Sequence, residues 1–210
     1  WLPQQFYYFY ALKQWEDEPP VISVPSGNFG NLASGILAHI SGLPVKQFIA
    51  ACNANDVVPR FLQTADYQPR PPVATLSNAM DVGAPSNFVR ILEIFDNDFP
   101  DLKAKLEAVS ITDETTAATM REVYEKYDYI LDPHGAVGYR ALADRLEKYP
   151  NERGIFFETA HPVKFDSVNE IIGTQGAIPA EVNDLFSKEK GSIEMGNDYD
   201  ALREILLSKI

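Results

Sequence analysis

Six consecutive residues, Ser26-Gly27-Asn28-Phe29-Gly30-Asn31, set two glycines among small polar side chains, a combination suited to holding an anion. The run Val21-Ile22-Ser23-Val24 before them is β-branched and closes on Pro25, as a strand does. Leu32 to Ile40 after them has the apolar spacing of an amphipathic helix, with Asn31 placed to cap it. Strand, glycine loop and helix N-terminus together gather backbone N–H groups, and the helix adds about half a positive charge where they meet. Glycine admits positive φ and a close ligand approach, which a β-branched residue at Gly30 would resist. No Gly-Lys-Ser/Thr follows, and the spacing is not Gly-x-Gly-x-x-Gly, which disfavours nucleoside triphosphates and dinucleotides. A neutral cradle of amides with Ser26, Asn28 and Asn31 side chains suits one phosphate monoester, such as the handle of a tightly held cofactor. An ordinary strand-to-helix turn without a ligand has the same local pattern.

Four other residues could share a site with that loop. Thr159 follows Gly154-Ile155-Phe156-Phe157-Glu158, so it falls at the carboxyl end of a strand, where open α/β sheets place ligands. His161 could act as a base or lock its own loop through its ring nitrogens. His134, just after Asp132-Pro133, falls in the first turn of a helix, either near a substrate anion or simply in the solvent-facing capping region. Lys164 suits a substrate-phosphate contact or a charged surface. His39, His134 and His161 stand far apart and Cys52 is the single cysteine, so neither a metal cluster nor a disulfide framework is expected.

The glycine loop resembles the phosphate loop of threonine synthases, pyridoxal-phosphate enzymes of the tryptophan-synthase-β-like class (fold type II). The resemblance runs on through Gly42-Leu43-Pro44-Val45, Asn53-Ala54-Asn55-Asp56, Leu76 to Val82, Asp113-Glu114-Thr115-Thr116, Asp132-Pro133-His134 and Thr159-Ala160-His161-Pro162-Val163-Lys164-Phe165. It implies that Ser26, Gly27, Asn28, Phe29, Gly30 and Asn31 hold the phosphate of pyridoxal 5′-phosphate and that the Thr159 hydroxyl meets its ring nitrogen. It implies the conversion of O-phosphohomoserine and water to threonine and phosphate, with a role near the site for His161. The lysine that binds the cofactor lies in the N-terminal half of such enzymes, in a Phe-Lys-Asp type segment absent from this chain, and Lys164 lies outside that motif. The 210 residues are therefore expected to be a C-terminal portion, inactive alone, whose partner is the missing half. The rival readings are another type II pyridoxal enzyme, a serine/threonine dehydratase or phospholyase, and a non-catalytic phosphate-binding domain.

Composition narrows the partners. Eighteen Lys plus Arg against 30 Asp plus Glu give a net charge of -12, which repels nucleic acid and anionic membranes. No apolar run reaches the ~20 residues of a membrane span and no signal peptide is evident, which together with the lone Cys52 suits a reducing cytoplasm. The expected fold is α/β, three αβα layers around a mostly parallel sheet. Strands are predicted at Val21 to Val24, Gln47 to Cys52, Val73 to Leu76 and Gly154 to Glu158. Helices are predicted at Leu32 to Ile40, Asn87 to Phe95 capped by Ser86, Asp113 to Tyr127 capped by Thr112, and Asp132 to about Leu146 with Val137, Ala141, Leu142 and Leu146 on one face. Phe6 to Leu12 reads as the buried end of a helix. A closing helix at about 199–210, capped by Asp198, should turn Leu202, Ile205 and Leu206 inward.

Overall fold

The computed structural model describes residues 1–174, 176 and 178–208, in two units, Trp1–Gly176 and Ala177–Ile210. In the first unit, α1 (Leu2–Lys13) precedes β1 (Val21–Pro25), α2 (Gly30–Ile40), β2 (Gln47–Cys52) and α3 (Val57–Thr64). There follow α4 (Phe88–Ile94), α5 (Phe99–Lys105), β3 (Leu106–Ser110), α6 (Asp113–Tyr127), α7 (Pro133–Lys148), β4 (Gly154–Phe156) and α8 (Asp166–Ile172). The second unit contains α9 (Ala180–Phe186) and α10 (Tyr199–Leu207). Among the described residues no helix is long and apolar enough to cross a membrane.

The four strands pair in parallel in the order β3-β2-β1-β4. Side chains alternate across a strand. Ile22, Val24, Phe48, Ala50 and Cys52 thus enter one core with Tyr8 of α1 and Leu32, Ala33 and Ile36 of α2. Val21, Ile49 and Ala51 enter a second with Val137, Ala141 and Leu142 of α7. Helices cover both faces, which explains why β1 and β2 are apolar at nearly every position. The chain steps from β1 to β2 to β3 in one direction, then crosses to the far side of β1 for β4. The strand order reverses between β1 and β4, and the crevice outside their carboxyl ends is where such sheets bind ligands.

Several predicted elements hold closely. Thr112 accepts from the Thr115 N–H and Asp132 from those of His134 and Gly135, capping α6 and α7 as expected. Others do not. Val73 to Leu76 is not a strand, because its backbone is taken by side chains: the Val73 N–H donates to Asn55 Oδ1 (2.8 Å), that of Thr75 to Asp81 Oδ2 (3.0 Å) and that of Leu76 to the Asp113 carboxylate (3.1 Å). The remaining strand is β3, whose short Leu-Glu-Ala-Val-Ser run follows α5 without a break and so carries no turn signal. Phe29, not Asn31, occupies the cap position of α2. Ser86 does not cap α4, since its N–H and hydroxyl both donate to Asn28 Oδ1 (2.6 and 3.0 Å). In the second unit Asp198 caps α10 through the Ala201 N–H, yet Leu202 and Leu206 are exposed, against the expected inward face, and positions 209 and 210 lie outside the described residues.

The aromatic run of α1 is also mostly exposed: Phe6, Tyr7, Phe9 and Tyr10 face outward and Tyr8 alone is fully buried. The helix meets α2 through a narrow stripe in which the Tyr8 ring lies over Gly35, where a Cβ would come within 2.7 Å of the Tyr8 hydroxyl oxygen and closer still to the ring. The Tyr8 hydroxyl donates to the Asn31 carbonyl (2.9 Å), tying α1 to the start of α2. Gly35→Ala gains about 1 kcal/mol of helix propensity but forces a buried ring to move, at about 1–3 kcal/mol. The ring cannot yield into solvent, so a net loss of up to about 2 kcal/mol is expected, read as a lower urea midpoint at unchanged m-value.

Candidate functional site

The loop after β1 has the properties of an anion site, though not all from the expected residues. Among the described residues no acceptor takes the backbone N–H groups of Gly27, Asn28, Phe29, Gly30 or Asn31. The first α2 N–H groups lack an intrahelical partner by geometry, and those of the loop extend the row. The left-handed residue is Phe29, at φ 63°, whereas the described positive-φ glycines are Gly42 and Gly173. The loop glycines serve closeness instead. A Cβ on Gly27 would lie 2.5 Å from Met80 Cα, and one on Gly30 would meet only Asn87 Nδ2, at 3.4 Å. Gly27 lets a second backbone segment lie against the loop, while Gly30 leaves open space.

Ser26 and Asn31 are engaged elsewhere. The Ser26 hydroxyl is buried and donates to the Val24 carbonyl (2.7 Å), and Asn31 Oδ1 accepts from Tyr8 (3.1 Å). Asn28 remains at the site with its side-chain oxygen held by Ser86.

The segment lying against Gly27 is the turn Asn78–Met80, one part of the sequence to which the residues alone gave no role. A polar clamp fixes it to the end of β2. Asn53 Nδ2 donates to Asp81 Oδ1 (2.9 Å) and Thr75 Oγ1 (2.8 Å), and the Thr75 hydroxyl donates to the same Asp81 oxygen (2.7 Å).

Residues just past the end of β4 share with this turn a cavity of about 370 Å³, lined by Gly27 to Gly30, Ala79, Met80, His134, Thr159, Lys164 and Phe165 among others. The β1–β4 ladder continues as far as the Phe157 N–H, bonded to the Ser23 carbonyl, which places Thr159 just beyond the strand and exposed to the cavity. The cavity thus joins residues separated by more than half of the chain, in a volume common for small-molecule sites. His134 is not solvent-facing: it is buried at the start of α7 with Nδ1 2.7 Å from Asp132 Oδ1 and Nε2 3.2 Å from the Ala79 nitrogen. Exposed Lys164 also lines the cavity. His161 is not among the lining residues: its Nδ1 accepts the Val163 N–H (3.1 Å) and caps the short turn that carries Lys164, the loop-locking role.

A family model of pyridoxal-phosphate dependent enzymes matches residues 4–157. The chain belongs to this pyridoxal-phosphate dependent family. A model of the C-terminal region of threonine synthase matches residues 135–206. Threonine synthase of Escherichia coli (strain K12) is 46% identical over 211 residues, 99% of this chain and 48% of that protein. The crystal structure of threonine synthase from Escherichia coli has a TM-score of 0.86 at 45% identity, with 99% of this chain and 48% of that one covered. The structure of a PLP-bound threonine synthase from Brucella melitensis has a TM-score of 0.85 at 29% identity, covering 97% and 49%. The likeness to threonine synthases read from the sequence is borne out, and so is the α/β fold. The chain spans about half the length of the relatives it matches.

Within this pyridoxal-phosphate family member, Glu158 is a residue that sequence reasoning passed over. It precedes Thr159 and accepts from the Tyr129 hydroxyl (2.6 Å) and the Asp132 N–H (3.0 Å), binding the end of β4 to the start of α7. Gly135 makes room, since a Cβ there would lie 3.0 Å from the Glu158 carboxyl carbon. Burial pushes the Glu158 carboxyl above its ordinary value, outweighing the two donors that pull it down, and its hydrogen bond pushes the Tyr129 phenol up to about 12. A carboxyl raised in the folded state adds stability that is complete below its unfolded value and is lost as pH rises through the folded one. The stability of the natural chain relative to Glu158→Gln should therefore fall over that window, as measured by urea unfolding at a series of acidic to neutral pH values.

Proposed function

We propose that this chain forms the cofactor-gripping part of a threonine synthase, which with further polypeptide converts O-phosphohomoserine and water to threonine and phosphate. The observation that carries this reading is the row of unpartnered N–H groups from Gly27 to Asn31 at a cavity that Thr159 also lines. Pyridoxal 5′-phosphate fits those residues: Gly30 leaves space that a Cβ would fill, and the amides and the N-terminus of α2 supply donors and positive potential without a metal ion. Bound there, the cofactor supplies an electron-withdrawing ring that stabilises carbanions at the substrate carbons next to the amino group.

In this reading the amides of Gly27 to Asn31 donate to the phosphate, and Ser26 and Asn31 support them from behind through their bonds to Val24 and Tyr8. The Thr159 hydroxyl meets the ring nitrogen from the end of β4. A neutral hydroxyl does not hold that nitrogen protonated as a carboxylate would, which moderates the ring's pull on electrons. The Lys164 ammonium, which lines the cavity, attracts the phosphate of O-phosphohomoserine. His161 holds the turn that carries Lys164. The imine-forming lysine comes from polypeptide outside these residues, so this chain alone turns over no substrate, and one buried cysteine suits work in a reducing cytoplasm.

A titration of the chain with pyridoxal phosphate, followed by phosphorus NMR, tests the reading. Binding should be retained in the natural chain and weakened about tenfold or more in Gly30→Val, whose side chain takes up phosphate space. In the complete enzyme, Thr159→Val should lower kcat/KM by about tenfold or more, corresponding to roughly 1–3 kcal/mol for a buried ring nitrogen left without its partner. Equal binding by the natural chain and Gly30→Val would refute the loop assignment.

A further inference from the structure

The turn Asn78–Met80 touches Gly27, and one side chain reaches it from the start of α7. We propose that His134 is a positioning residue: held as the neutral Nδ1–H tautomer by Asp132, it accepts the Ala79 N–H at Nε2 and so fixes the turn that backs the phosphate loop. The proposal rests on the reading of Gly27 to Asn31 as a phosphate site.

The tautomer follows from the partners. A backbone N–H can only donate, so Nε2, 3.2 Å from the Ala79 nitrogen, must present its lone pair. The ring proton then sits on Nδ1, 2.7 Å from Asp132 Oδ1. Asp132 is itself held from several sides: it is fully buried, and its carboxylate also accepts the N–H groups of His134 (2.8 Å) and Gly135 (3.3 Å) as the cap of α7. The Phe165 ring, 5.0 Å away between centroids, covers the imidazole from the segment after Thr159. The first turn of α7, the Ala79 turn and the segment after β4 therefore meet at one ring, and that ring lines the cavity. Ala79 itself is exposed, so water can take over its N–H when the ring is removed. The fold survives that loss, while the turn loses a fixed acceptor. Met80, pressed against Gly27, passes the slack to the phosphate loop.

Two substitutions separate the two nitrogens. The amide of glutamine extends about as far as Nε2 and can still accept from Ala79, whereas that of asparagine extends only as far as Nδ1 and can reach Asp132 alone. Long-range proton–nitrogen NMR of the natural chain should show His134 protonated at Nδ1, and a ring protonated at Nε2 overturns the proposal. In His134→Asn the Ala79 amide should exchange with solvent about tenfold faster, and pyridoxal phosphate should bind about tenfold more weakly. His134→Gln should restore both to within a few-fold of the natural chain. Equal amide protection and equal binding in His134→Asn and the natural chain overturn the positioning role. A natural chain that protects the Ala79 amide as expected but binds no pyridoxal phosphate overturns the phosphate reading instead.

Discussion

The site depends on one close approach, that of the Met80 backbone to Gly27. A Cβ at residue 27 would stand 2.5 Å from Met80 Cα, inside any real contact distance, so the two segments can be neighbours only with glycine at this position. Everything behind the turn keeps it there. Asp81 collects bonds from Asn53 and Thr75, Asp113 takes the Leu76 N–H, and His134 takes that of Ala79. Strand pairing would have satisfied the same backbone groups, but it would have carried the segment along the sheet rather than across its carboxyl end.

A second cost and its compensation sit at Phe29. Left-handed backbone is unfavourable by about 1–2 kcal/mol for a residue with a side chain. Burial offsets it: the Phe29 ring is 4% exposed and packs edge-on to Phe88 at 5.4 Å, and burying a phenylalanine contributes about 1.5–3 kcal/mol. The strained residue is thus anchored on the core side while the adjacent N–H groups stay without partners. Such unpartnered donors are themselves unfavourable in a folded chain unless water or an anion takes them.

The geometry also separates residues that look alike in sequence. Ser26 and Asn31 flank the glycines as polar neighbours, yet both turn toward the interior and brace the loop. His134 and His161 both stand beside a proline that opens a helix or turn, yet one is buried at the cavity and the other, itself exposed, caps the turn Pro162–Lys164. Glu158 and Thr159 are adjacent and point to different tasks, the first binding β4 to α7 and the second left free at the strand end.

Local signals determined much of this protein. The glycine loop between a β-branched run and an amphipathic helix, the Pro133 start of α7 and the Thr112 cap of α6 are legible because each depends on residues within a few positions of one another, and the alternation of strand and helix segments, with the family resemblance, pointed to the α/β fold. The strand order, the reversal beside β1 and the cavity that joins residues 27 and 159 were decided only by the tertiary structure, since they rest on contacts between segments far apart in sequence. The errors share that cause. Val73 to Leu76 has strand composition but loses its N–H groups to Asn55, Asp81 and Asp113, and Asn31 has a capping side chain that Tyr8 claims first. Composition says which bonds a residue can make, and only the folded chain says which partner arrives.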